Sequence, residues 1–290
     1  MSVDLLQEKI RKVKNPTVLQ LDAFMQTVPQ HLKEAKTDCD AYSDFAKKLL
    51  DELRETVAAV RFGFASFSML GDNGLGLLSD LLKYASRHGY YVLLDLPELH
   101  SGMVAESVAE ILEREDTLYP CHGMIISCYA GSDVIRPFVA LCKKGKALFP
   151  VARTANKSAT EVQDLLTGAR LVHTAAADVV NRHAETVPGK SGYCNIGVVA
   201  GASSADSLRN LRSKYKRLFL LLDGYDYPNA NAKNCSYAFD SFGHGAAACA
   251  GMSLTAAWRE AGTEGLDFAE QALQAALRMK KNLTRYITVL

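Results

Sequence analysis

Several familiar signatures are missing from this chain of 290 residues. No two of its seven cysteines, at positions 39, 121, 128, 142, 194, 235 and 249, are spaced as Cys-x-x-Cys. A zinc ribbon and a disulfide framework are therefore not indicated. Free thiols suit a reducing compartment, so a cytoplasmic protein is expected. Neither sign of charge is in excess: 33 basic residues face 32 acidic ones, for a net charge of +1. Without a global field, nucleic acid and membrane surfaces are not expected partners. No apolar run has the length of a membrane span. The opening MSVDLLQEKIRKVKN is charged throughout, which excludes a secretory signal and predicts an amphipathic helix. No Gly-x-Gly-x-x-Gly follows the first strand candidate, whose exit reads QLDAFMQ. That absence counts against a dinucleotide-binding sheet, and no cofactor or metal is expected.

What is present is ample apolar material, 48% of the residues, arranged in alternating patterns. Strand candidates fall at 17–24, 58–67, 91–94, 123–129, 147–154, 196–200, 218–222 and 246–250. Helical patterns fall at 3–13, 38–55, 73–88, 103–114, 132–143, 158–167, 173–183, 205–214, 254–260 and 266–287. Asn73 is a plausible cap for its helix, with Gly89 just past the end. Ser158 and Glu161 form a capping-box pattern. Eight strand–helix units in this length predict one α/β domain over 1–290, a TIM (β/α)8 barrel with an extra N-terminal helix and C-terminal helices. An open doubly wound sheet is the alternative.

A barrel places its chemistry at the carboxyl ends of its strands. The central stretch is YYVLLDLPELHSG, residues 90–102, where a buried apolar run ends in Asp95. The other strand ends supply Asp22, Arg61, Tyr129, Arg153, Ser203, Ser204, Asp223, Asp226 and Met252. Each has a plain alternative. Asp95 reads equally as a binding residue or a loop-capping carboxylate. Arg61 reads as an anion site or, more simply, as a salt bridge to Asp95 or Asp22. Glu98 and His100 make an acid/base pair or a solvated loop. Asp22, His100 and Asp226 would be the ligands if a metal were held. Ser204 reads first as an N-cap.

Several of these blocks together resemble the orotidine 5′-phosphate decarboxylase family, in its longer bacterial form. Leu21-Asp22 is similar to the family's first-strand Leu-Asp-Pro. Tyr129-Ala130-Gly131-Ser132-Asp133 with Arg136-Pro137-Phe138 resembles its Tyr-x-Gly-Ser-Asp-x-x-x-Pro-Phe. Arg153-Thr154-Ala155-Asn156-Lys157-Ser158 with Gln163-Asp164-Leu165 resembles its Arg/Lys-Thr-Ser-Asn-Pro-Ser…Gln-Asp-Leu. Residues 197–202 and Gly224-Tyr225 match its sixth and seventh strand segments. The likeness runs in order from about Asp22 to Leu254.

The resemblance implies a homodimer that binds a small molecule such as a nucleotide monophosphate. It implies a catalytic group at Asp95, Arg61 and His100, with substrate binding at Asp22, Ser132, Asp133, Thr154, Asn156, Gly224 and Tyr225. The departures lie at the same places. The family's third strand ends Asp-x-Lys-x-x-Asp, its Lys protonating the carbon that loses carbon dioxide. Here Asp95 is kept, Pro97 stands for the Lys and His100 for the second Asp. Arg61 stands for the family's second-strand Lys, and Met252 for its phosphate-binding Arg. Proline has no proton to give, and a lost general acid costs on the order of 10² to 10⁴ in rate. Two functions follow: a degenerate member acting in ligand binding or regulation, or an enzyme that decarboxylates or lyses a phosphorylated small molecule with Asp22, Arg61, Asp95 and His100.

Overall fold

The computed structural model describes residues 2–96 and 99–288. Pro97 and Glu98, which bear on the third strand end, lie outside the described residues. The eight strands are β1 (Thr17–Leu21), β2 (Ala59–Gly63), β3 (Tyr91–Asp95), β4 (Gly123–Ser127), β5 (Ala147–Val151), β6 (Val198–Gly201), β7 (Leu220–Asp223) and β8 (Ala246–Ala250). All are parallel and close into the expected barrel. Closure sets Thr17 of β1 opposite Ala248 of β8, and Val18 opposite Cys249. Strands covered on both faces need apolar side chains on both, which is why they read as continuous runs. Alternate residues serve two cores. Val18, Tyr91, Leu93, Phe149, Leu221 and Cys249 fill the barrel, while Leu19, Val92, Leu94, Leu148 and Leu222 pack under the helices.

Seven main helices form the outer layer: α2 (Asp38–Leu53), α3 (Asp72–Arg87), α4 (Gly102–Glu113), α5 (Ser132–Lys143), α6 (Val172–Ala184), α7 (Ala205–Lys214) and α8 (Phe268–Leu283). The eighth, α1 (Ser2–Val13), closes the amino-terminal end of the barrel. Its Val3, Leu6 and Ile10 share one face and are fully buried among Tyr91, Phe149 and Phe219. Polar contacts fix its seat. Ser2 Oγ lies 2.6 Å from Tyr91 Oη. Asn195 Oδ1 accepts from the Val3 N–H, and Gln7 Oε1 accepts from the Gly245 N–H.

Four local expectations fail for identifiable reasons. Residues 58–67 do not stay extended. After Gly63 the chain turns into a short helix, Phe64–Ser68, which drives Phe67 against Tyr42 and Phe62. The predicted helix at 158–167 is only Ala159–Val162, and Ser158 makes no side-chain cap. Gln163 and Asp164 instead turn inward to hold Thr154 and Arg153, and a hairpin of Leu166–Thr167 with Arg170–Leu171 follows. Asn73 is not the cap of α3, because Gly71 takes that place. The helix expected at 254–260 is two turns, Met252–Thr255 and Ala257–Glu260.

The amino-terminal end carries a pH-sensitive contact. His122 Nδ1 accepts from the Val92 N–H at 3.0 Å, and its ring stacks on Tyr91. Burial, with Lys9 and Lys146 nearby, lowers its pKa from 6.5 to about 4. A histidine depressed by folding gives stability that is complete above its ordinary value and lost as pH falls toward the folded one. Acidification from pH 7 to pH 4 should therefore remove up to about 3 kcal/mol through this residue. Urea unfolding of wild type and His122→Gln at both pH values checks it, since the variant should lose less.

Candidate functional site

The carboxyl ends of four strands converge on one cation. Arg61 of β2 is buried. Its Nε donates to Asp95 of β3 at 3.1 Å, Nη2 donates to the same carboxylate, and Nη1 donates to Asp223 of β7 at 2.5 Å. Gln20 of β1 joins them: its Oε1 is 3.4 Å from Nη1, and its Nε2 donates to Asp22 at 2.6 Å. A Cβ at Gly63 would strike the Asp22 carboxylate, so glycine leaves room for that side chain in its present position.

One guanidinium serves two carboxylates, and their protonation reflects it. Burial opposes the charge on Arg61, but Asp223 and Asp95 outweigh it and hold the guanidinium well above its ordinary value. Burial pushes the Asp95 carboxyl up, Arg61 offsets only part of this, and Asp223 and Asp22 add to the rise. Burial also pushes the Cys249 thiol up to about 12, so it stays protonated beside Arg61.

The loops after β7 and β8 meet over this network. Asp226 accepts the N–H of Gly251 at 2.7 Å, of Met252 at 3.1 Å and of Ser253 at 3.1 Å. Two cavities open on either side. One, of about 350 Å³, is lined by Gln20, Asp22, Phe24, Asp226, Tyr227 and Met252 among others. The other, of about 420 Å³, is lined by Asn156, Lys157, Ser203, Tyr227 and Asn229 with Arg153. Arg153 is already neutralised. It grips Asp164 through Nε and Nη2 at 2.9 and 2.8 Å, and buried His173 lies 3.1 Å from that carboxylate.

The model of the orotidine 5′-phosphate decarboxylase / HUMPS family matches residues 33–253. The chain belongs to this family. An orotidine 5′-phosphate decarboxylase of Clostridium novyi is 26% identical over 286 residues, 98% of each chain. One from Caldicellulosiruptor saccharolyticus is 26% identical over 255 residues, 82% of this chain and 84% of its own. The solved OMP decarboxylase of Leishmania donovani superposes with a TM-score of 0.72 at 22% identity, over 97% of this chain and 98% of its own. That structural likeness bears on the barrel, not on activity.

Within this member of the orotidine 5′-phosphate decarboxylase family, the expected site residues divide. Arg61, Asp95 and Asp22 come together. Thr154 and Asn156 also meet, Thr154 Oγ1 donating to Asn156 Oδ1 at 2.5 Å. His100 is exposed in the segment before α4. Ser132 and Asp133 are not bonded into the Arg61 network. Ser132 Oγ is 3.1 Å from His183 Nε2, and Asp133 faces Arg136 in a separate surface cleft with Ser101 and Gly102. Gly224 has φ +74°, and any Cβ there would meet Ala155 and Tyr227. Tyr225 does not line either cavity at the mouth. It lines a cleft with Asn282 and Arg285, and its backbone N–H donates to the Cys249 carbonyl at 3.2 Å. Asp223 and Asp226 were read as strand-end candidates, whereas Gln20 and Tyr227 were not expected as site residues. Both of the latter sit within four residues of a strand end, which is the signal that would have found them. Among the described residues, no three His, Cys, Asp or Glu side chains stand at metal-binding spacing, so Asp22, His100 and Asp226 do not converge.

Proposed function

We propose that this family member has lost decarboxylation and uses its mouth to bind a small molecule, in a binding or regulatory role. The observation that carries the reading is the identity of the central cation. Arg61 is held by two carboxylates and keeps its proton at every accessible pH. Decarboxylation leaves a carbanion that needs a positioned acid. Pro97 stands where the resemblance places the family's lysine. A second support is charge. Barrels of this kind commonly hold phosphate at the loops after the seventh and eighth strands. Here Asp226 puts a carboxylate on those amides, and Met252 supplies no cation. A nucleotide monophosphate is the ligand class the resemblance implies, and an unphosphorylated relative fits this mouth better.

The second reading, a lyase using Asp22, Arg61, Asp95 and His100, draws on one observation: a carboxyl raised by burial, as at Asp95, suits a general acid. Homodimerisation and a cytoplasmic setting belong to the same proposal, on the strength of the resemblance. No helix among the described residues is long and apolar enough to cross a membrane.

Incubating the purified chain with orotidine 5′-phosphate and following ultraviolet absorbance separates the two. No turnover above background is expected. The triple variant Pro97→Lys, His100→Asp, Met252→Arg should gain thermal stabilisation by uridine 5′-monophosphate. Appreciable turnover by the wild-type chain sinks the proposal.

A further inference from the structure

Outside the mouth, a cleft of about 390 Å³ lies between the short helix Ala232–Ser236 and the end of α8. We propose that it is a second ligand site, for a small phosphate monoester bearing a flat ring, with Lys233 and Arg285 as its cations. Charge is the first support. The clefts described above each include a carboxylate: Asp133 in one, Asp22 in another, Asp164 in the third. This one is lined by Lys233 and Arg285 and by no acidic side chain. Neither cation has an ion-pair or side-chain hydrogen-bond partner among the described residues. Two unpaired cations that face one space, contributed by elements far apart in the chain, suit a doubly charged anion. A guanidinium fork and an ammonium are the groups that bind phosphate.

The remaining lining is rich in donors. Asn231 Oδ1 already accepts from the Asn234 N–H at 2.9 Å, which leaves its amide nitrogen to donate. Asn282 adds a second amide, and Tyr225 and Tyr286 add two phenols whose rings suit a flat guest. Burial pushes the Tyr225 phenol up to about 12, so it keeps its proton. The walls are fixed from below. Ala232 and Cys235 are buried under one, Leu283 and Ile287 under the other, so the guest would meet a formed site. A helix carboxyl end would repel an anion, but that of α8 is covered. The Lys280 carbonyl accepts both the N–H and the hydroxyl of Thr284 at 2.9 Å, and the Leu283 carbonyl accepts from Tyr286 and Ile287.

Titrating the full chain with phenyl phosphate and with inorganic phosphate, followed by amide resonances in nuclear magnetic resonance, tests the site residue by residue. Both probes should shift residues 231–233 and 282–286. Phenyl phosphate should bind about threefold to tenfold more tightly than inorganic phosphate, and Tyr286→Ala should remove that difference. Lys233→Ala and Arg285→Ala should each weaken binding about tenfold or more, since each loses a hydrogen bond to a charged group. Both side chains are exposed, so the variants should melt like wild type. Arg285→Lys keeps the charge without the fork and should fall between. Shifts confined to the mouth, or affinity unchanged in both alanine variants, overturn the site. Equal affinity of wild type for the two probes overturns the flat-ring ligand. Turnover of orotidine 5′-phosphate by the wild type would overturn the preceding section and leave these outcomes as they stand.

Discussion

Arg61→Met should cost about 3 kcal/mol or more of folding stability, because removing one partner of a buried ion pair leaves an uncompensated charge. Here two carboxylates, Asp95 and Asp223, lose their shared cation at once. Asp95 is already raised by burial and by its acidic neighbours, so it would take up a proton at higher pH still. The loss should therefore grow from mildly acidic to neutral pH. Adding Asp95→Asn and Asp223→Asn should restore most of it, since neutral amides need no counter-charge. Guanidinium-chloride unfolding at pH 5 and pH 8 measures both effects. A loss below about 1 kcal/mol, the range of an exposed pair, would mean that solvent already screens the site.

The barrel was legible in the sequence because both faces of its strands are covered. Continuous apolar runs bounded by helical periods leave few other folds. β8 and helices α5 and α7 fall where the patterns place them. Errors came where side chains, not periodicity, decide the backbone. Residues 158–167 have helical composition, yet Gln163 bonds the Thr154 N–H and Asp164 grips Arg153, and the helix stops after one turn. The site was half legible for a related reason. Strand ends can be counted from sequence, which placed Arg61, Asp95 and Asp22. Which way a loop side chain turns cannot, so Tyr225 was expected in the mouth where Tyr227 stands. Asp223 was visible as a strand end, but nothing local distinguishes a carboxylate that pairs across the barrel from one that caps its own loop.

A chain lacking residues 1–13 should fail to fold stably. Val3, Leu6 and Ile10 are each fully buried in the barrel interior, and three such side chains contribute about 6 kcal/mol. That is comparable to the whole net stability of a domain, about 5–15 kcal/mol. The exposed floor would also leave Tyr91 Oη without Ser2 and Gly245 N–H without Gln7. Near-ultraviolet circular dichroism and thermal melts should show no cooperative transition. A sharp melt within a few degrees of wild type would show that α1 only decorates the barrel.

The closure of β1 against β8 has a temporal side. Strands from opposite ends of the chain must pair, Val18 with Cys249, before the ring has no open edge. During synthesis the first strand emerges long before its last neighbour exists, so β1 waits with one row of backbone groups unpaired. Its pairing with β2 is available early, but the other edge is not. Such distant contacts form late and slowly, and they expose a growing chain to wrong partners for most of its synthesis. Whatever this molecule binds, its making depends on the order in which its two ends arrive.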